Sequence, residues 1–78
     1  MDSIEERVKY VFSEQIGIGA DDLDLNVDLE EYYSYDSLDF LETTMALEDE
    51  FKINIPEEDV IRVRTISVAI DYIETRVE

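Results

Sequence analysis

The stretch Tyr35-Asp36-Ser37-Leu38-Asp39 stands immediately before an apolar-periodic run that continues through Phe51. Asp36 is a good N-cap residue, because its carboxylate can accept hydrogen bonds from the free N–H groups of the following helical turn. Ser37 is then predicted at the first helical position, with its hydroxyl outward. The positive end of the helix behind it favours a phosphate, whether bound or covalently attached. We therefore predict a helix that begins at Ser37 and ends near Glu50 or Phe51.

This helix carries two apolar rows. The inner row, which we predict to face the core, consists of Phe40, Leu47 and Phe51 with Thr43 and Thr44 between them. The outer row consists of Leu38, Leu41 and Met45, and the acidic residues around it are Asp36, Asp39, Glu42, Glu48 and Asp49. Periodicity alone favours a single broad core face. The position of the outer row directly behind Ser37 favours instead an exposed apolar strip that binds a basic protein surface.

The first helix is predicted from its ends and from one apolar face. Ser3 and Glu6 have the spacing of a capping box, and Gly17 is well placed as the C-terminal stop. Its apolar face consists of Ile4, Val8, Val11, Phe12 and Ile16. Residues 18–35 are predicted to form a loop that crosses the bundle. Leucine and valine alternate with polar residues there, as in a strand, but no second strand is available to pair with it.

Two further helices complete the predicted fold. Pro56 suits the first position of a short helix that continues to about Ile61 or Arg62. Thr65 is predicted to cap the last helix, whose core stripe is Ile66, Ala69, Ile70, Ile73 and Val77. The pattern predicts an all-α fold, a small four-helix bundle with a short third helix and a long loop between helices one and two. Residues 1–78 are expected to form a single domain.

The net charge of the chain limits the classes of partner that it can bind. Twenty-two acidic residues stand against six basic ones, which gives a formal net charge of −16. Nucleic acid and anionic membrane surfaces are disfavoured, because a phosphate-binding face needs clustered Lys and Arg. Basic proteins or divalent cations are the natural counterparts. The chain has neither an apolar run of membrane-spanning length nor a start typical of a signal peptide, so we expect a cytoplasmic monomer without membrane insertion.

The residue types present argue against an enzyme and against a metal site. The chain contains no histidine and no cysteine, which are the usual general base and the usual soft metal ligands. Alternating oxygens from Asp22 to Asp28 resemble the start of a calcium loop. However, Val27 and Tyr33 stand where that loop needs glycine and glutamate. Ser37 has no base within sequence reach to activate it as a nucleophile, but another enzyme can use its hydroxyl as an acceptor.

Several segments, in order and over nearly the whole chain, resemble bacterial-type acyl carrier proteins. These segments are Ile4-Glu5-Glu6-Arg7-Val8-Lys9, Glu14-Gln15-Ile16-Gly17, Asp36-Ser37-Leu38-Asp39, Met45-Ala46-Leu47-Glu48-Asp49-Glu50-Phe51, Ile55-Pro56, Thr65 and Ala69-Ile70-Asp71-Tyr72-Ile73. The resemblance implies that a phosphopantetheinyl transferase moves 4′-phosphopantetheine from coenzyme A onto Ser37. The thiol of that arm then holds acyl groups as thioesters, and the acyl chain can fold back into the bundle.

The resemblance also implies partners and a docking surface. Acyl-transferring and condensing enzymes of fatty acid or related lipid or polyketide biosynthesis would dock through basic patches. The residues expected to receive them are Asp36, Leu38, Asp39, Leu41, Glu42, Met45, Glu48 and Asp49. The chain itself would carry and present intermediates without catalysing a reaction.

The chain departs from the family at two places. Tyr33, Ser34 and Tyr35, with Tyr32 ahead of them, replace the usual leucine, glycine and small residue before the aspartate. Thr43 and Thr44 stand where the family tends to carry aliphatic residues. The tyrosines either pack the loop against the bundle or shape the choice of partner and cargo, and the departures leave room for a dedicated carrier. The alternative function is an unmodified acidic interaction module of the same fold that binds a basic partner protein.

Overall fold

Helix α1, Ile4–Ile16, begins and ends where the sequence predicts. In the computed structural model, which describes residues 3–77, Ser3 Oγ accepts a hydrogen bond from the Glu6 N–H at 3.1 Å. The Ser3 N–H donates to Glu6 Oε1 at 3.1 Å, which completes the capping box. The helix stops at Gly17, whose φ of 86° lies in the left-handed region that a residue without Cβ adopts at little cost. Met1, Asp2 and Glu78, the ends of the expected domain, lie outside the described residues.

The long connection between α1 and the helix that begins at Ser37 is more structured than predicted. It contains a 3₁₀ turn at Ala20–Asp22 and a one-turn helix α2 at Leu29–Tyr32. Asp28 caps α2 by accepting from the N–H groups of Glu30 and Glu31. A helix of four residues is too short to show a helical period, which explains why the sequence pattern missed it. The rejection of a strand was right, since residues 3–77 form none.

The connection is fixed to the rest of the molecule by backbone hydrogen bonds and by leucines. The Leu29 N–H donates to the Arg64 carbonyl at 2.8 Å, and the Ser67 N–H donates to the Leu25 carbonyl at 2.8 Å. Leu23 and Leu29 are buried, as expected for side chains that hold a crossing loop against the bundle.

Helix α3, Ser37–Phe51, is the longest element. Its N-terminus is a reciprocal capping box, in which the Asp39 N–H donates to Asp36 Oδ1 at 2.9 Å and the Asp36 N–H donates to Asp39 Oδ2 at 3.1 Å. The predicted inner row does face the core: Thr43, Leu47 and Phe51 are buried, and Phe40 and Thr44 are half-buried. The helix ends at Lys52, which has a left-handed φ of 56°.

The third predicted helix is shorter than expected. Helix α4 spans Glu57–Val60, and Pro56 is its N-cap rather than its first residue, while residues 61 and 62 form a turn. Helix α5, Ile66–Arg76, is capped by Thr65, whose Oγ1 accepts from the Val68 N–H at 3.1 Å. Four residues of its predicted stripe are buried, and the fifth, Val77, follows the helix and lies partly buried against the core.

The three long helices form the bundle. Helix α1 packs against both α3 and α5, and α4 packs against α3. The buried core is the set Val8, Val11, Phe12, Leu23, Leu29, Tyr35, Leu47, Phe51, Ile55, Ile66, Ala69, Ile70 and Ile73. The predicted all-α bundle is therefore confirmed, with a one-turn helix added between its first two long helices. Of the helices described, none is both long and apolar enough to cross a membrane.

Candidate functional site

Ser37 lies at the surface, as the first residue of α3. None of the hydrogen bonds found among residues 3–77 involves its hydroxyl. The free N–H groups and positive dipole end of a 15-residue helix lie at this position. The hydroxyl is therefore accessible, and its surroundings favour negative charge on it.

Asp36 sets the position of that hydroxyl. Hydrogen bonds to its carboxylate, foremost from the Asp39 N–H, hold the pKa of Asp36 below its usual value. The Asp39 carboxylate accepts a hydrogen bond from the Asp36 N–H and another from the side-chain amide of Gln15 at 3.3 Å. Glu42 accepts from the same Gln15 amide at 2.9 Å. The capping box and Gln15 therefore fix the start of α3 against α1. No local pattern in the sequence indicates this role of Gln15.

The outer row of α3 is exposed. Leu38, Leu41 and Met45 are 58%, 54% and 58% accessible, which excludes the alternative of a single broad core face. Beside them, the carboxylates of Glu42 and Asp49 are exposed. An apolar strip rimmed by negative charge is suited to a partner surface that is basic around an apolar centre.

Glu48, another of the acids predicted to receive partners, is bonded to the segment that follows α3. It is half-buried, and its Oε2 accepts a hydrogen bond from the Ile55 N–H at 2.7 Å. This bond fastens the connection between α3 and α4. The sequence did not indicate it, because the two residues belong to different segments and the bond follows from the way the chain turns back after Lys52.

An open groove of about 740 Å³ has Ser37 on its wall and lies between the start of α3 and α4. Its volume falls within the range of small-molecule sites, about 300–1,000 Å³. Its apolar lining includes Phe40, Leu41, Val60 and Ile61. Its charged lining includes Glu30, Asp36, Glu57, Glu58 and Arg64. The α4 residues and Arg64 were not among the predicted site residues, because no local pattern shows that α4 returns to the start of α3.

Arg64 is the one cation among the residues lining this groove. Its guanidinium donates to both carboxylate oxygens of Asp28 at 3.1 Å and to Glu30 at 2.9 Å. The pKa of Asp28 lies below its usual value, mainly because its carboxylate accepts from the Glu31 N–H and also because of Arg64. Arg64 thus holds α2 beside the groove.

Tyr35 separates this groove from the core. It is only 4% exposed, and its hydroxyl lies 2.8 Å from Thr43 Oγ1 in a buried hydrogen bond. Its ring stacks against Phe12 at 6.3 Å and meets the edge of Phe40 at 5.0 Å. Burial raises the pKa of Tyr35 to about 12. Two of the three tyrosines in this segment therefore pack inward, since Tyr33 is half-buried and its hydroxyl accepts from the Asp24 N–H at 2.8 Å.

The third tyrosine, Tyr32, is 63% exposed and lies edge-on against Tyr33 at 4.9 Å. Of the two interpretations of the tyrosines, loop packing and the choice of partner and cargo, loop packing accounts for Tyr33 and Tyr35. It does not account for Tyr32, which nothing in the described structure covers.

Residues 6–73 match the protein family described as a phosphopantetheine attachment site. The match runs from the first turns of α1 to the buried face of α5 and so includes the whole of the Ser37 region. Members of this family carry 4′-phosphopantetheine, and they are carrier domains rather than catalytic ones. An exposed serine at a helix N-terminus, beside a groove of ligand size, fits such a group. The chain belongs to the phosphopantetheine attachment site family, and it is a carrier protein for 4′-phosphopantetheine, as its resemblance to acyl carrier proteins predicts.

Proposed function

We propose that this protein is an acyl carrier protein whose 4′-phosphopantetheine is attached through Ser37 Oγ. The observation that supports this most directly is the position of Ser37, exposed at the first residue of α3 and within the matched region. The group, when bound, supplies a thiol on which acyl groups are carried as thioesters. The pathway that we favour is fatty acid, related lipid or polyketide biosynthesis.

The chain's own residues position the serine but do not activate it. Asp36 and Asp39, the nearest carboxylates in sequence, already accept backbone N–H groups in the capping box, and the pKa of Asp36 is lowered. A carboxylate stabilised in its charged form is a poor base. The phosphopantetheinyl transferase must therefore remove the hydroxyl proton. The contribution of this chain is a fixed, accessible oxygen at the positive end of a helix.

The exposed face of α3 supports docking of the partner enzymes. Leu38, Leu41 and Met45 offer apolar contact that is available without unfolding any part of the bundle. The surrounding carboxylates provide charge that attracts basic patches and raises the association rate. We propose that the transferase and the acyl-transferring and condensing enzymes all use this face, with Asp36, Asp39, Glu42, Glu48 and Asp49 as its acidic rim.

Intact mass spectrometry after incubation with coenzyme A and a broad-specificity phosphopantetheinyl transferase tests this proposal. The wild-type chain should gain one phosphopantetheine, and Ser37→Ala should gain none. Ser34→Gly is the matched control, because Ser34 is exposed, lies three residues away and has a left-handed φ of 58° that glycine accepts. This variant should be modified like the wild type.

Two results would contradict the assignment. If Ser37→Ala is still modified, the group is attached elsewhere. If a correctly folded wild-type chain takes up no group, the alternative is favoured, namely an unmodified acidic module that binds a basic partner. That alternative uses the same exposed face of α3 and needs no modification.

A further inference from the structure

Two spaces lie next to the proposed attachment point, and they differ greatly in size. The open groove has a volume of about 740 Å³, whereas a cavity among the core side chains of the bundle has about 20 Å³. Tyr35, Phe40 and Val60 line both spaces and so form the wall between them. An apolar acyl chain attached near Ser37 can reach the interior only by moving part of this wall.

The interior has no room for such a chain as it stands. A cavity of about 20 Å³ holds about one water molecule. Buried side chains surround this cavity, among them Phe12, Leu29 and Leu47. A chain of several methylene groups therefore needs a side chain to leave the core.

Of the three residues of this wall, Tyr35 is the buried one, and its side chain is also hydrogen-bonded. Its ring contacts Phe12 on one side and Phe40 on another, and its hydroxyl bonds to Thr43. The two hydroxyls satisfy each other in a place that water does not reach. Displacing the ring would leave Thr43 without its partner inside the core, where an unpaired polar group is costly.

We infer that Tyr35 closes the bundle interior to the cargo, so that this carrier holds short or polar acyl groups at the open groove. The inference rests on the proposed function. The groove suits such groups because its lining combines Leu41 and Ile61 with charged side chains, including Arg64 and Glu57. A long alkyl chain would gain less there than in a closed core, since the groove is open to water and has charged side chains among its lining.

A chain-length series tests the inference. The wild-type protein is loaded by the transferase with acetyl, hexanoyl or decanoyl groups from the corresponding acyl-coenzyme A, and its melting temperature is measured. We expect no rise with chain length, because no additional apolar surface is buried. The methyl NMR signals of Leu29, Leu47 and Ile73 should not shift between the acetyl and decanoyl forms. A melting temperature that rises with chain length, together with shifted interior methyl signals, would overturn the inference.

Two variants test whether Tyr35 is the residue that closes the bundle interior. Tyr35→Ala should open the interior, so that its decanoyl form melts at a higher temperature than its acetyl form. Tyr32→Ala is the control, because Tyr32 is exposed and should leave the series unchanged. A folded Tyr35→Ala without any effect of chain length would refute the role of this ring. If this variant does not fold, the wild-type series decides alone.

The experiment distinguishes this inference from the proposed function. A wild-type chain that accepts no group from any acyl-coenzyme A refutes the proposed function, and the inference with it. A chain that is loaded but buries its decanoyl group refutes only the inference.

Discussion

At the scale of single residues, the buried pair of hydroxyls is the feature with the clearest energetic consequence. Tyr35→Phe removes one hydroxyl and leaves Thr43 unsatisfied, which should lower the free energy of unfolding by about 1–3 kcal/mol. Urea titration followed by circular dichroism measures the loss. The ring contacts with Phe12 and Phe40 remain, so the fold should not change.

The double variant Tyr35→Phe/Thr43→Val provides the control. It removes both hydroxyls with little change of shape, so it should be more stable than the sum of the two single losses predicts. Strictly additive losses would show that the two hydroxyls do not interact energetically.

The same tyrosine predicts a loss of stability at alkaline pH. Its pKa is about 12 in the folded protein, against an ordinary value of 10.0. Because the pKa is higher in the folded state, folding favours the neutral phenol. The contribution of Tyr35 to the free energy of unfolding is therefore complete below pH 10 and is lost between pH 10 and 12. At about 1.4 kcal/mol for each pH unit between the two pKa values, the contribution is about 3 kcal/mol.

Absorbance of the phenolate, recorded together with unfolding, checks this prediction. Tyr72 also has a pKa of about 12, raised by burial and by its hydrogen bond to Asp59, so two tyrosines should ionise late. Tyr35→Phe should remove one of the two late ionisations and reduce the alkaline loss of stability. A Tyr35 that ionises near pH 10 while the protein stays folded would contradict the assignment.

The sequence predicted residues whose role depends on their immediate neighbours. Asp36 as N-cap, Ser37 at the first helical position and the exposure of Leu41 all follow from positions a few residues apart. The bonds of Tyr35 to Thr43 and of Glu48 to Ile55 depend instead on how the chain turns in space. A tyrosine pattern alone could not distinguish loop packing from an exposed role.

At the scale of elements, the end of α1 depends on the conformation of one glycine. Gly17 has a φ of 86°, and a Cβ built there meets no atom within 4 Å, so Gly17→Ala brings backbone strain without a clash. The left-handed conformation costs a residue with a Cβ about 1–2 kcal/mol, which should appear as a lower free energy of unfolding in urea.

Gly19→Ala is the matched substitution two residues later. Its φ is −57°, and the nearest contact of an added Cβ is Asp22 Oδ2 at an ordinary 3.5 Å. This change should be neutral or slightly stabilising, because alanine loses less backbone freedom than glycine on folding. Equal effects of the two substitutions would show that the left-handed turn does not determine the cost.

The predictability of an element followed its length. The long helices α1, α3 and α5 each have an N-cap side chain and several apolar repeats, so their starts were predicted correctly. Helices α2 and α4 are single turns held by tertiary contacts, among them the bond from Leu29 to the Arg64 carbonyl. One was missed and the other was predicted too long, since four residues contain hardly one helical period.

At the scale of the whole molecule, self-repulsion should limit stability. The net charge is −16, and fifteen acidic residues against one basic residue lie between Asp21 and Asp59. Salt shortens the range of this repulsion to about 10 Å at 0.1 M, so added NaCl or MgCl₂ should raise the melting temperature. For a domain of this size, a gain of about 1 kcal/mol corresponds to about 4–8 °C.

A charge variant serves as the control for the salt titration. Asp49→Asn removes one exposed carboxylate from α3, so it should melt at a higher temperature in low salt and gain less from added salt. Comparing NaCl and MgCl₂ at equal ionic strength separates screening from binding of the divalent cation. A melting temperature that does not respond to either salt would refute the role of repulsion.

The anchoring of Tyr35 in the core has a mechanical consequence for the proposed carrier. Its buried ring belongs to the residue two positions before Ser37, and the single residue between them, Asp36, is fixed by its reciprocal bonds to the helix. The backbone that would carry the 4′-phosphopantetheine at Ser37 is therefore restrained on both sides. The range over which cargo travels is then set by the length of the arm and by the approach of the partner enzyme, with no hinge in the polypeptide itself.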